Sequence, residues 1–317
     1  MALAGLTAAE CVRQPVHLLL TTTAVVLTGL APMLAMHQFG EEGRLARDAG
    51  LALQLTIGLA VAVTAASAAL SRERIEGTSG ALLSKPVGRT VVFFGKYAGV
   101  AVVVTGFSVC ALLATLMGER VSERFLDTPS FTGFVTDYPT GIRLLLAVPA
   151  AYAVAGAINY LTRRPFASVA FRSLLGLLGL ALVLGAFLDR TGRPAAFGFQ
   201  MDWRIVPAAL LVTFALLAMA AFALTLSVRL GAVPTLAVCA ALLALGLVSA
   251  YLFRDEGAAA TLYRVTPDWQ HFWMPDALRS GGTIPGSYVV QAGLYGACWT
   301  TAVLCFGAWL FRRSEAV

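Results

Sequence analysis

The chain has 317 residues, of which 58% are hydrophobic and 13% charged, whereas soluble proteins carry roughly 25% charged residues. Its mean hydropathy is +0.79. A soluble domain of this size must cover itself with polar surface, so the composition excludes a soluble enzyme, a nucleic-acid module, a coiled coil and a disordered chain. The 23 Lys and Arg outnumber 17 Asp and Glu, for a net charge of +6. These basic residues are scattered between apolar runs, as at the ends of membrane spans, and do not form a nucleic-acid-binding surface.

In chain order, Thr7 and Glu10 stand at capping-box spacing and Pro15 follows. Residues 1–15 therefore read as a short helix lying on the membrane, starting at Thr7. A bilayer-crossing helix needs about 20 apolar residues. Runs of that kind cover 16–36, 50–70, 97–117, 144–161, 167–188, 205–227, 230–253 and 288–311. The expected fold is an all-α polytopic membrane protein with about eight spans. The range is six to eight, because 160–172 reads as either a loop or a break, and the join at Arg229 and Pro234 as either a turn or a kink. The first run is too long for a typical signal-peptide core, and only Arg13 precedes it. Eight spans put both ends of the chain on one side. Arg72, Arg74, Lys85, Arg89 and Lys96, supported by Arg163, Arg164, Arg312 and Arg313, make that side the cytoplasm.

The spans as drawn hold uncharged polar groups such as Thr21, Thr22, Thr23, Gln54, Ser108, Asn159 and Gln291. Ion-coupled carriers and pumps usually need intramembrane carboxylates, His or Lys, so this weighs against that class. No HExxH, GxSxG or GxxxxGK[ST] motif is present. The sharpest catalytic or metal candidate is Asp268, His271 and Asp276, in the connection before the last span. It competes with a plain interfacial segment. Cys110, Cys239, Cys298 and Cys305 lie in apolar stretches and Cys11 near the start, all at spacings that suit buried small hydrophobes. Gly95 with Gly99, and Gly293 with Ala297, are small-xxx-small pairs to which no function is assigned.

The most informative stretch is 71–96, SRERIEGTSGALLSKPVGRTVVFFGK. Ile75, Leu82 and Leu83 share one helical face, and Arg72, Glu73, Arg74 and Glu76 make its first turns charged. Gly77 and Gly80 allow another backbone to come close, and Pro86 stops the helix. Lys85, Arg89 and Lys96 then stand where lipid phosphates or an acidic partner could meet them. A loop lying on the headgroups is the plain alternative. The order Glu76-Gly77-Thr78, Leu82-Leu83-Ser84, Pro86-Val87, Arg89 and Gly95-Lys96 resembles the cytoplasmic loop of type-2 ABC transporter permeases. The likeness is greatest to the subgroup that includes the copper-processing permease of nitrous-oxide reductase maturation. In that family the loop also joins the second and third spans, and part of it docks as a coupling helix on a separate ATPase.

The opening 7–15 stretch and the late 263–288 stretch are similar to that family's N-terminal interfacial helix and extracytoplasmic re-entrant segment. Within 254–287, Trp269, Phe272 and Trp273 form an aromatic face suited to headgroups, followed by Asp276 and Ala277. Thr266-Pro267 reads as a helix start, and Gly281, Gly282 and Pro285 as a break. An exit gate and a belt anchoring the last span both fit. The family often has six spans, so eight imply an extra hairpin between the third and last.

The resemblance implies the permease subunit of an ATP-driven exporter in the bacterial inner membrane, with no catalytic, cofactor or metal site of its own. ATP and Mg²⁺ would sit on a separate ABC ATPase, and a second copy or a related permease would complete the transporter. Its coupling residues would be Arg72, Glu73, Glu76, Gly77, Thr78, Leu82, Leu83, Pro86, Arg89 and Lys96. Its extracytoplasmic gate would be Trp269, Phe272, Trp273 and Asp276. The rivals are a stand-alone secondary carrier, a membrane-embedded enzyme and a non-transporting anchor.

Overall fold

A computed structural model describes residues 2–34, 43–75, 88–128, 131–190, 192–252 and 266–314. Among the described residues, eight helices are long and apolar enough to cross a membrane. They are α2 (Pro15–Leu34), α3 (Arg44–Ile75), α4 (Arg89–Val121), α5 (Tyr138–Thr162), α6 (Phe166–Ala186), α7 (Ile205–Ser227), α8 (Ala232–Leu252) and α9 (Gly286–Ser314). Helix α1 (Ala2–Arg13) precedes them. Both open points resolve toward eight spans. Residues 163–165 make a turn between α5 and α6, with Arg163 left-handed at φ 57. Residues 228–231 make another between α7 and α8.

Helix α1 departs from the expectation of a start at Thr7. It begins at Ala2, so Thr7 and Glu10 lie inside it and do not cap it. The reason is packing. A Cβ on Gly95 would stand 2.6 Å from the Leu3 side chain, and one on Gly99 2.9 Å from the Ala4 carbonyl and the Ala8 nitrogen. The two glycines of α4 thus form a groove that admits the α1 backbone, the use small-xxx-small pairs have in membranes. Buried Cys11 donates its thiol to the Ala65 carbonyl of α3. The chain then bends at Gln14 into α2, and buried His17 holds the bend through Nδ1 and the Cys11 carbonyl at 2.8 Å.

Helix α3 packs most extensively on α4 and α7, and α7 also on α9, while α5 and α6 pair as a hairpin. Contacts at the end of α3 and the start of α4 define one face of the bundle, called here the loop face. The ends of α7 and α9 share it, since Thr225 donates to the Val303 carbonyl and Arg89 reaches the Arg312 carbonyl. The ends of α4 and α6 and the starts of α3, α5 and α7 lie at the far face. A two-stranded antiparallel hairpin, β1 (Arg124–Thr128) and β2 (Phe131–Val135), extends there from α4, with Phe125 opposite Phe134. It was not expected from the sequence.

One buried ion pair organises the far face. Arg120, on the last turn of α4, donates through Nε to Asp137 Oδ2 at 2.7 Å, with side chains 1% and 2% exposed. Its other nitrogens donate to the Gly185 and Leu188 carbonyls, at and just beyond the end of α6, at 2.7 and 2.6 Å. Asp137 accepts from the Thr140 N–H and hydroxyl and so caps the start of α5. A single guanidinium therefore ties three helix ends together and satisfies polar groups that lack bulk water.

Arg120→Ala leaves the buried Asp137 carboxylate without its countercharge and takes a donor from the Gly185 and Leu188 carbonyls, so it should lower unfolding stability by about 3–5 kcal/mol. Thermal unfolding of the purified protein in detergent measures this, and an unchanged midpoint would contradict the clasp. Burial pushes the Cys11 thiol up to about 11. Near pH 8 its thiolate should therefore be scarcer than an ordinary cysteine's by roughly two orders of magnitude. Gly99→Val drives a side chain into the α1 backbone, so alkylation of Cys11 at pH 8 should speed up sharply. The rates come from mass spectrometry of the labelled N-terminal peptide.

Candidate functional site

Two regions were expected to carry function, and they lie at opposite ends of α3. At the loop face, Arg72 and Glu73 fall on the terminal turns of α3, beyond the membrane-crossing stretch that ends at Leu70. Glu76, Gly77, Thr78, Leu82, Leu83 and Pro86 lie outside the described residues. Arg89 starts α4 after Gly88, which has no side chain with which to cap the helix. The sequence stands Lys96 where a headgroup or an acidic partner could meet it. The structure instead buries it, 4% exposed, between α3 and α4, where its ammonium donates to the Ala69 carbonyl. The helices that flank the loop are thus fastened to each other directly below it. Two further bonds tie them to α7. Ser67 Oγ lies 3.0 Å from Ser227 Oγ, and the Tyr97 hydroxyl donates to the Leu217 carbonyl at 3.2 Å.

At the far face, the stretch before α9 forms two short 3₁₀ helices, Trp269–Phe272 and Pro275–Gly281, in place of the α-helix expected from Pro267. Asp268 caps the first by accepting from the Gln270 N–H at 2.9 Å, and its own N–H donates to the Tyr295 hydroxyl of α9. The Tyr288 hydroxyl donates to the His271 carbonyl. Two tyrosines of α9 therefore hold a segment too short to hold itself. Residues 279 and 280 interrupt the second 3₁₀ helix, with Ser280 left-handed at φ 49.

The aromatic face points inward, not to headgroups. Trp269 and Phe272 are fully buried, Trp273 half-buried and Asp276 exposed. The Trp269 indole donates to the Leu242 carbonyl of α8 at 3.1 Å and meets Phe222 of α7 edge-on at 6.3 Å. Gly246 of α8 makes room for it, since a Cβ there would lie 2.1 Å from the indole ring. Phe272 packs on Tyr295 at 6.0 Å. Trp269, Phe272 and Trp273 cover an apolar cavity of about 10 Å³ whose floor includes Leu55 of α3 and Val212 and Ala215 of α7. That is space for about one water molecule, between walls that offer it no partner. The segment closes the far end of the α3–α7–α8 space as a plug.

The acidic trio is divided. His271 Nδ1 lies 3.3 Å from Asp268, while the Asp276 carboxylate pairs with Arg279 at 3.0 Å. Among the described residues no three His, Cys, Asp or Glu stand together as a metal site.

Sequence reasoning missed a cluster of charges at the far face. Around the Arg120–Asp137 pair stand Glu119, Arg124, Arg190, Asp202 and Arg204. Glu119 pairs with Arg124, Arg190 donates to the Ser122 carbonyl at 2.8 Å, and Arg204 grips Asp202 through two bonds of 2.7 and 2.9 Å. Burial, aided by the Arg124 charge, lowers Arg190 to about 10, so it stays protonated at neutral pH. The Asp202 hydrogen bonds raise Arg204. The available signal was the run GERVSER at 118–124, which a span ended at Met117 leaves in the loop. Arg47 of α3 extends a guanidinium nitrogen to the Leu278 carbonyl in the plug segment at 3.5 Å.

Against known proteins, a family model described as ABC-2 family transporter protein matches residues 12–179, just over half of the chain. No curated protein and no solved structure matches.

Trp269→Ala should cost about 3–5 kcal/mol by opening the space beneath the plug, while Trp269→Phe should cost clearly less. Unfolding midpoints of the two variants in one detergent test this. Equal losses would mean that the indole body does not fill the site.

Proposed function

The chain belongs to the ABC-2 family of transporter proteins, and we propose that it is the permease subunit of an exporter driven by ATP hydrolysis on a separate subunit. The observation that carries this reading is the family match, which takes in α2 to α5 and the 71–96 connection. The chain itself has no GxxxxGK[ST] motif, so ATP and Mg²⁺ are assigned to the partner ATPase. A second permease copy completes the transporter. The charge distribution supports a loop face turned to the cytoplasm of a bacterial inner membrane. The order of residues in the loop supports the narrower likeness to the nitrous-oxide-reductase copper-maturation permeases.

In this reading the ATPase pushes on residues 72–84 as it closes. Helix α3 has 32 residues, a rod of about 48 Å at roughly 1.5 Å per residue. Its far end touches the plug segment through Arg47, and Leu55 lines the cavity beneath Trp269 and Phe272. A tilt of the fastened α3–α4 pair is therefore felt at the far face without relay through side-chain chemistry. Glu76, Gly77, Thr78, Leu82, Leu83 and Arg89 are the contacts assigned to the ATPase. Trp269, Phe272 and Trp273, with Asp276 at the rim, are assigned to the exit. The apolar lining of the cavity beneath the plug suits an apolar or amphipathic cargo.

Glu76→Lys should strip a stoichiometric ATPase with a GxxxxGK[ST] motif from the tagged protein purified from its native membrane. It should also abolish stimulated ATP hydrolysis. Unchanged co-purification and unchanged hydrolysis would overturn the coupling assignment. A wild-type preparation with no ATPase, in a detergent that preserves such complexes, would favour a stand-alone carrier.

A further inference from the structure

The α5–α6 turn carries an arginine cluster that no step above uses. Arg163, Arg164 and Arg172 are exposed, and so is Arg13 at the end of α1. A shared apolar cluster sets these elements side by side, with Val12 of α1 and Leu18 of α2 packed among Ala155 of α5 and Ala167 and Phe171 of α6. From 138 to 188 the sequence contains no acidic residue, and Arg143, at the far face, is its one other charge. On α1 the only acid is Glu10, half-buried. Among the described residues none of the four arginines is paired with a carboxylate.

The turn is built to hold its arginines out. The Arg163 N–H donates to the Asn159 carbonyl at 2.9 Å and the Asn159 amide to the Arg164 carbonyl, so the backbone is satisfied internally. Arg163 is left-handed, a conformation that glycine would take more readily. Tyr160, Leu161 and Phe166 around it are exposed apolar groups. Arg172 sits six residues past the start of α6, about 9 Å along the helix axis. Its guanidinium bends back to the Ser168 carbonyl at 3.0 Å and the Ser168 hydroxyl at 3.4 Å, toward the turn. A basic side chain anchored in the apolar zone and reaching for the polar boundary is the posture of a snorkelling residue.

We propose that this turn is a binding site for acidic phospholipids, whose headgroup phosphates are held by Arg163, Arg164 and Arg172, with Arg13 at the margin. Guanidinium forks match phosphate oxygens in pairs, which an ammonium does not. Tyr160, Leu161 and Phe166 take the glycerol and upper acyl region. Arg172 favours lipid over the acidic surface of a soluble partner, because it emerges on the flank of a membrane span and not at the tip of the hairpin. The site sets the depth of the α5–α6 hairpin, and through Val12 and Leu18 that of the α1–α2 bend.

The test is native mass spectrometry of the full-length protein released from bilayers of equal phosphatidylglycerol and phosphatidylcholine. The wild type should retain phosphatidylglycerol over phosphatidylcholine by at least about fivefold, the factor one arginine supplies near an anionic surface. Arg163→Gln with Arg164→Gln, and separately Arg172→Gln, should bring the ratio toward parity. Arg143→Gln removes the same charge at the far face and should leave it unchanged. Lysine at 163, 164 and 172 should recover only part of the preference. No preference in the wild type, or a preference that survives both sets of glutamines, overturns the proposal. Loss of bound lipid to excess inorganic phosphate would mean a free-phosphate site and overturns it too. An unchanged lipid ratio with loss of the ATPase from the glutamine variants would reassign the turn to a protein partner.

Discussion

A buried polar group in a lipid-embedded bundle has no bulk water to turn to, and Arg120 is where this constraint bears hardest. Its guanidinium meets a carboxylate at the start of α5 and two carbonyls at and just beyond the end of α6. Ions this deep are costly, and what offsets the cost is a carboxylate partner and a hydrogen bond from each of the three guanidinium nitrogens. The consequence is mechanical. Helices α4, α5 and α6 share one far-face joint, while at the loop face α4 is joined to α3 by Lys96 and to α7 by Tyr97. Helix α4 belongs to both groups and is the mast that the two halves of the bundle share.

This arrangement separates what is held from what is free to move. The α3–α4 pair enters the loop face as a unit, so force on the connection between them cannot easily splay them apart. At the far end of α3 the contacts are of another kind. One long bond from Arg47 and the apolar contact of Leu55 meet a segment of 3₁₀ turns held by backbone carbonyls of α8 and tyrosine side chains of α9. Short 3₁₀ pieces lack the cooperativity of α-helix, and such elements come from the low-stability end of a fold.

Much of the architecture was legible because hydropathy reports the bilayer directly. All eight spans stood out as apolar runs, but their ends did not. Helix α3 starts at Arg44 where the apolar run starts at 50, and α4 spans Arg89–Val121 where the run spans 97–117. Hydropathy marks the hydrocarbon, whereas the hydrogen-bonded ladder continues as far as its ends can be satisfied. Trp269, Phe272 and Trp273 show a second limit. Their i, i+3, i+4 spacing is the same for a belt facing lipid and a plug facing protein, since lipid tails are as apolar as a protein interior. The Arg120 cluster was hidden for a third reason, because its partners are distant in the chain and each looked like an ordinary loop charge. Gly95 and Gly99 were visible as a pair, yet nothing in their own sequence named α1 as the helix that fills the groove. The coupling residues from Glu76 to Pro86 were read from motif order, and their spatial arrangement lies outside the described residues.

The seat of α1 also bears on the order in which the molecule is made. Residues 2–13 leave the ribosome before the surface that receives them, Gly95 and Gly99 together with Ala65, which is synthesised some 50 to 100 residues later. Until α4 has entered the membrane, the face of α1 that carries Ala4, Thr7 and Ala8 has no glycine groove to receive it. Helix α1 therefore cannot settle before its partners do, and its docking reports that the third span is in place.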